Sequence, residues 1–185
     1  MLTRRTLLAA GGAILAGGLA RPVRAADLGI VEIRMRSDRE GAGAHVGFDP
    51  IGLLVSRGQT VRWICDEGGN VHTATAYHPA NDHHSLRIPQ AATPWDSDFL
   101  LPGQSFEVSF EVEGVYDYYC RPHEHAGMVG RIIVGQPTGP GSLPFDYFAG
   151  RPEARDWVPV PAAARSAFPA LAEIMRRTRV PGPAV

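Results

Sequence analysis

Short runs of alternating apolar and polar residues, separated by glycines and prolines, constrain the fold of this chain more than any other feature. In residues 31–36, for example, Val31, Ile33 and Met35 lie on one face and charged residues on the other. Similar runs recur at 54–56, 61–65, 106–112, 116–120 and 128–134. The 21 glycines and 16 prolines interrupt the chain every few residues, which disfavours long helices. About seven short strands within residues 26–136 therefore predict an all-β fold, either an antiparallel sandwich or a small barrel.

The first 25 residues have the pattern of an export signal. Arg4 and Arg5 form a twin-arginine start, a glycine-rich apolar stretch runs to Ala20, and small residues around Ala25 provide a cleavage site. The apolar stretch is too short and too rich in glycine to span a bilayer comfortably, and no cysteine follows it to carry a lipid. We therefore expect export to the periplasm or another extracytoplasmic space, and no stable membrane anchor after cleavage. The paired arginines favour the Tat route for folded proteins, although an ordinary secretory signal has a similar pattern.

The distribution of charge excludes one class of partner. The chain has no lysine, and four of its 18 arginines lie in residues 1–25. The remainder carries 14 arginines and 19 acidic residues; residues 26–136 have a net charge of −7 and residues 137–185 a net charge of +2. Because an acidic domain has no basic stripe that could follow phosphates, we expect no nucleic-acid partner.

Residues 137–185 form a proline- and aromatic-rich C-terminal extension. Several of its aromatic residues stand among prolines and glycines: Phe145, Tyr147, Phe148 and Trp157. This pattern predicts an extended segment that either covers an exposed edge strand or docks a redox partner. Leu171, Ile174 and Met175 have helical spacing with arginines after them, and Pro169 suits a first turn, so we expect a short helix there.

A thiol, an imidazole and a thioether lie within nine residues, as Cys120, His123 and Met128 in a C-x2-H-x4-M pattern. Soft sulfur and imidazole donors favour copper, and one Cys with two His and a weak axial Met is the ligand set of a blue copper site. A strand end followed by a short loop can bring these three donors to one ion. The fourth ligand has to come from elsewhere, and His72, just after the strand at 61–65, is the candidate.

The block YYCRPHEHAGMVG resembles the Cys–His–Met loop of the cupredoxins, in particular plastocyanin, pseudoazurin and the halocyanins. Residues earlier in the chain are similar to the first half of that family's sequence pattern: Phe48, Pro50, Val55, Gly58, Val61, Trp63 and His72. The resemblance spans residues 30–135 and leaves the extension unmatched. It implies a Greek-key β-sandwich or barrel of about seven to eight strands. It also implies one type 1 copper ion bound by His72, Cys120, His123 and Met128.

Alternatives exist for the cysteines and histidines. Two cysteines in an exported protein would ordinarily predict a disulfide. Because a copper ligand cannot also form a disulfide, we expect Cys65 to be a free, buried thiol. His125 is the alternative to His123 as ligand, but it breaks the spacing match and is expected on the loop surface. The other histidines of the domain are expected in solvent, the alternative being a second, weak metal site: His45, His78, His83 and His84.

Two roles near the ligands remain open at this point. Tyr119 points outward from its strand beside Cys120, either as an ordinary surface aromatic or, as the resemblance implies, as a step on an electron path to the surface. The resembled family commonly has Asn directly after the first His, where this chain has Thr73. Thr73 and Asn70 are therefore both candidates for the hydrogen bond that holds the ligand loop.

The resemblance implies a function in outer-sphere transfer of single electrons between protein redox partners, which would dock near the copper loop. It implies no open coordination position for a substrate, so we expect an electron carrier and not an enzyme. The alternative is a copper carrier or copper-resistance protein that uses the same fold to bind and deliver copper. A third possibility is a copper-dependent subunit that its extension fixes to a periplasmic oxidoreductase.

Overall fold

The computed structural model of the protein describes residues 29–37, 45–67 and 70–184, so the predicted export signal lies outside the described residues. Nine strands occur within these ranges: β1 (Ile30–Ser37), β2 (Val46–Asp49), β3 (Gly52–Val55), β4 (Gln59–Cys65), β5 (Thr75–Ala76), β6 (Ser105–Phe110), β7 (Gly114–Tyr119), β8 (Val129–Val134) and β9 (Arg179–Val180). Two short helices precede the last strand, α1 (Ala162–Ala167) and α2 (Leu171–Arg177). None of the helices in the described ranges is long and apolar enough to cross a membrane.

The strands form two sheets that enclose the core. Their orders are β2-β1-β4-β6 and β5-β7-β8-β3-β9. Most neighbours are antiparallel, but β1 pairs with β4 and β3 with β8 in parallel. Parallel neighbours cannot be joined by a hairpin, so the chain has to cross over between the members of each pair. The predicted all-β sandwich is confirmed, and the strand count exceeds the expected seven to eight because the extension contributes β9.

The alternation of β4 produces the centre of the core. Val61, Trp63 and Cys65 face the opposite sheet and are completely buried, while the residues between them are partly exposed. The ring of Trp63 packs edge-on against Tyr118 of β7, with 5.3 Å between ring centroids. Opposite Tyr118, β8 carries Gly130, where a Cβ atom would collide with the tyrosine ring. Each fully buried large side chain contributes about 1.5–3 kcal/mol, so this aromatic centre is a main source of stability.

The C-terminal extension covers the outer face of the second sheet. Every residue of β7 and β8 is buried, although alternate side chains point away from the core. Part of this outer cover is an apolar cluster shared by the sheet and the extension: Tyr77, Tyr119, Val129, Phe145, Val160, Ala164, Ala167 and Phe168. In addition, β9 pairs antiparallel with β3 and so covers its edge. The predicted helix is confirmed as α2, but Pro169 precedes it, because the helix begins at Leu171 after Ala170.

Three buried charged side chains fasten the extension to the sheet. Asp117, on the outer face of β7, is completely buried and accepts hydrogen bonds from Arg87 Nε at 3.0 Å and Arg131 Nε at 2.7 Å. Arg131 Nη2 also donates to Asp117, at 3.0 Å. Both amino groups of Arg87 and Nη1 of Arg131 donate to backbone carbonyls of the extension, those of Pro140, Gly141, Leu143 and Pro169. Phe145 and Phe168 lie against the guanidinium faces at 4.2 and 4.8 Å. We call Arg87, Asp117 and Arg131 the buried triad.

Candidate metal centre

A tight turn after β7 brings Cys120, His123 and Met128 together. The turn, a 3-10 helix over Arg121–Ala126, starts directly after Cys120 and ends at Gly127, whose φ of 84° favours glycine. The Cys120 carbonyl accepts the His123 N–H at 3.0 Å, and the His123 carbonyl accepts the Met128 N–H at 3.1 Å. The Met128 carbonyl in turn accepts the Cys120 N–H at 3.0 Å. Backbone hydrogen bonds alone therefore close the loop that carries three of the predicted ligands.

The second histidine reaches the same point from the segment between β4 and β5. His72 Nδ1 lies 3.6 Å and His123 Nδ1 3.4 Å from Cys120 Sγ. All three donor atoms lie within 4.8 Å of one another. His72, Cys120 and Met128 are completely buried, whereas His123 is half-buried. Met128 packs in the same apolar cluster as Cys120, so the four side chains form an arrangement like a type 1 copper site.

Burial sets the protonation of these donors. It lowers the pKa of His72 to about 4, with a further contribution from nearby His123, and it lowers the pKa of His123. Both imidazoles are therefore neutral at pH 7 and keep a lone pair for a metal. Burial raises the pKa of the Cys120 thiol to about 12 when no metal is bound. A metal would have to displace this proton, which couples metal binding to pH.

Thr73, and not Asn70, makes the hydrogen bond to the cysteine. The Thr73 N–H donates to Cys120 Sγ at 3.3 Å, and Thr73 Oγ1 accepts the Arg121 N–H at 2.9 Å. Asn70 acts through its backbone, accepting the thiol proton of Cys65 at 3.4 Å. Thr73 therefore links the segment that carries His72 to the turn that carries His123, through one hydrogen bond to Cys120 and one to the next residue, Arg121.

The second cysteine takes no part in the cluster. Both cysteines are free and buried, as expected for Cys65. Cys65 lies on β4 in the core, as its alternation with Val61 and Trp63 predicted. Burial, and then the charge of Asp66, raises the pKa of its thiol. Cys65 is therefore a poor nucleophile and serves as a packing residue.

The expectation that His84 is solvated is wrong. His84 is only 6% exposed and packs against both Tyr77 and Tyr119, with Nε2 3.6 Å from the buried carboxylate of Glu124. The hydroxyl of Tyr77 donates to Glu124 Oε1 at 2.5 Å. The sequence contains no signal for this cluster, because its members come from separate segments that the extension covers together.

The remaining histidines and Tyr119 differ in their surroundings. His45, His83 and His125 are exposed and His78 is half-buried. Tyr119 does point away from the core, but it is only 1% exposed because the extension lies over it. Its hydroxyl donates to Asp82 Oδ2 at 2.9 Å. Tyr119 is therefore not a surface aromatic.

Comparisons with known proteins agree with this geometry. The family model of copper binding proteins of the plastocyanin/azurin family matches residues 35–135. The chloroplastic plastocyanin of Tetradesmus obliquus is 31% identical over 131 residues, covering 71% of this chain and 81% of the relative. The pseudoazurin of Methylorubrum extorquens is 29% identical over 137 residues, covering 73% and 80%. The crystal structure of pseudoazurin from Methylobacterium extorquens AM1 shares the fold with a TM-score of 0.50 at 20% identity, covering 81% of this chain and 97% of that one.

The matched residues include the whole cluster and end before the extension. His72, Cys120, His123 and Met128 all lie within 35–135, and their soft sulfur and imidazole donors fit copper. The chain belongs to the plastocyanin/azurin family of copper-binding proteins, and its cofactor is copper.

Proposed function

We propose that the protein is a single-electron carrier that holds one type 1 copper ion with His72, Cys120, His123 and Met128. The observation that carries this proposal is the cluster of two imidazole nitrogens and one thiol within 4.8 Å, with a buried thioether beside it. A thiolate, two imidazoles and a weak axial thioether are the donors of blue electron-transfer copper.

The chain supports electron transfer by holding these donors still. Copper in such a site supplies a reversible one-electron couple. The backbone hydrogen bonds between Cys120 and Met128, and those of Thr73 to Cys120 Sγ and to the Arg121 N–H, restrict the ligand loop. Complete burial of three of the four donors excludes water from the site. Because the donors cannot move far, little reorganisation accompanies each electron, which favours fast transfer.

His123 is the proposed point of electron entry and exit. It is the one member of the four that is not fully buried. Exposed apolar residues lie next to the other ligand segment, with Val71 beside His72 and Phe99 and Leu101 on either side of its bridge partner Leu100. Such a face suits transient docking of protein redox partners near the copper loop.

The same site argues for a carrier and not an enzyme. With four protein donors around the ion, no coordination position is left for a substrate. The buried Cys120 and Met128 also disfavour the alternative function of a copper carrier, because delivery requires ligands that a recipient can reach. The extracytoplasmic location stays part of the proposal and depends on the predicted signal in residues 1–25.

The visible spectrum of the copper-loaded protein, before and after ascorbate, tests the proposal. We expect an intense blue band that ascorbate bleaches and an oxidant restores, with a reversible voltammetric wave. His123→Ala should lose or grossly alter the band, whereas His125→Ala, on the exposed neighbour in the same turn, should leave it nearly unchanged. A colourless protein that gives up copper readily would favour the copper carrier. Loss of colour in the His125 variant alone would contradict the ligand assignment.

A further inference from the structure

The ring of His72 is held at both nitrogens. Nδ1 faces Cys120 Sγ at 3.6 Å, and Nε2 lies 2.7 Å from the hydroxyl oxygen of Ser37, 35 residues earlier in the chain. The ring is completely buried and Ser37 is half-buried, so little water competes for this contact. Among the described residues, His72 is the proposed copper ligand whose side chain forms a hydrogen bond with Ser37.

The hydrogen-bond roles follow from the position of the metal site. A neutral imidazole carries one proton, and the nitrogen that binds a metal must offer its lone pair. With Nδ1 bound to a metal, the proton is on Nε2, and His72 donates to Ser37 Oγ. The same oxygen accepts the Asn70 N–H at 3.2 Å. One hydroxyl group therefore receives two hydrogen bonds from the segment that carries His72.

Ser37 is well placed to act as a fixed acceptor. It is the last residue of β1, and its neighbours in the sheet are paired, with Ser37 opposite Val46 of β2 and Met35 opposite Cys65 of β4. The segment 70–72, in contrast, is not part of a named strand. Its backbone is tied to Leu100 by two hydrogen bonds of 3.2 and 2.8 Å. Ser37 adds a contact to the ring itself.

We propose that Ser37 is a positioning residue for His72: its hydroxyl accepts the Nε2–H of the metal-binding ring and holds the ring so that Nδ1 points at the metal. This inference rests on the copper site proposed above and adds a residue outside the Cys–His–Met loop. A partner on the far nitrogen of a metal-binding histidine fixes the ring orientation and raises its basicity. Ser37 thus acts on the metal only through His72.

The test compares Ser37→Ala with Ser37→Thr, which keeps the hydroxyl at a strand position that tolerates a β-branched residue. The matched control is Ser109→Ala on β6, away from the cluster. It removes an exposed hydroxyl that forms a hydrogen bond with Thr60 of β4. We expect Ser37→Ala to weaken Cu(II) and Zn(II) binding by about 10- to 100-fold in chelator competition. The Thr variant and the control should bind both ions like the parent.

Nuclear magnetic resonance of the Zn(II)-loaded parent protein tests the proposal without a variant, because we expect a slowly exchanging proton on Nε2 of His72. In Ser37→Ala, where the variant folds, the exchange of this proton should become fast. A parent protein whose His72 proton is on Nδ1, or on Nε2 but rapidly exchanging, would overturn the proposal. So would a Ser37→Ala protein that binds both ions like the parent. If Ser37→Ala does not fold, the parent spectrum alone decides.

These outcomes are separable from the electron-carrier function. A protein that binds copper tightly but gives no reversible one-electron wave would refute the carrier function and leave the affinity comparison intact. Conversely, normal blue electron transfer in a Ser37→Ala protein with parental affinity would refute the role of Ser37 alone.

Discussion

At the scale of single residues, two thiols with the same burial have different surroundings. Cys120 lies within 3.6 Å of two imidazole nitrogens, whereas the thiol of Cys65 donates to the Asn70 carbonyl in the core. We expect Cys120→Ala to abolish the blue band, because the thiolate donor is lost. Cys65→Ala should keep the colour and cost about 1–2 kcal/mol of stability, measured by urea unfolding. Loss of colour in both variants would mean that the assignment of Cys120 as the single thiolate is wrong.

Met128 supplies the weakest of the proposed donors. Because a thioether stabilises oxidised copper slightly, Met128→Leu should keep the blue band and raise the reduction potential. The swap is close to volume-conserving, so stability should change by less than about 1.5 kcal/mol. Met175→Leu on α2 is the control, since Met175 lies in the extension and packs in a different apolar cluster. Voltammetry of both variants checks this, and an unchanged potential in Met128→Leu would remove Met128 from the ligand set.

At the scale of elements, the extension and the second sheet depend on each other. The outer face of β7 carries a carboxylate, Asp117, that no water can solvate. The two arginines of the buried triad satisfy that carboxylate and, at the same time, the backbone carbonyls of the extension. Helix α1 also packs on the turn that carries His123, with Ala167 Cβ 3.4 Å from where a Cβ on Gly127 would lie. The extension therefore supports the metal turn as well as the sheet.

Removal of the Asp117 carboxylate tests whether the extension and the second sheet depend on each other. Asp117→Ala leaves two buried arginines without their partner, so we expect a loss of about 3–5 kcal/mol in the free energy of unfolding. Limited proteolysis should then cut the extension more readily. Glu107→Ala is the matched control: it removes a carboxylate paired with Arg62 at 2.6 Å on the exposed face of β6, which is worth less than about 1 kcal/mol. Equal losses in the two variants would show that the buried triad does not hold the extension.

At the scale of the whole molecule, buried histidines couple stability to pH. Burial lowers the pKa of His84, outweighing the opposing charges of Glu124 and Asp82, with His125 adding to the lowering. An unfolded chain binds a proton at this residue near pH 6.5, whereas the folded protein does not until a lower pH. The folded protein therefore becomes less stable as pH falls below about 6.5, and the stability that the neutral His84 contributes is fully present above that value.

His84→Phe should make this loss smaller. An aromatic ring that packs against Tyr77 and Tyr119 is kept, but the titrating group is removed. Urea unfolding of the metal-free proteins at pH 7 and pH 5 measures the effect as a smaller drop in the variant than in the parent. His83→Phe, on the exposed neighbour, should leave the drop unchanged. An identical drop in parent and His84→Phe would show that His84 does not contribute to the pH dependence.

The sequence by itself determined the features that depend on local spacing. Alternation along 31–36, 61–65 and 116–120 predicted which side chains face the core, because successive residues of a strand point to opposite faces. The position of three proposed ligands within nine residues predicted the copper loop, because a strand end and one turn suffice to gather them. The spacing of Leu171, Ile174 and Met175 likewise predicted α2.

Only the tertiary structure decided the features that depend on what covers a surface. Tyr119 and Asp117 point away from the core, as alternation predicted, yet both are buried because a segment from far along the chain lies over them. The burial of His84 and its contact with Glu124 40 residues later, like the contact of Ser37 with His72, leave no periodic pattern in the sequence. Such contacts join residues whose neighbours in sequence differ, so local spacing carries no information about them. Their chemistry depends on burial, which the packing of the extension and the two sheets decides.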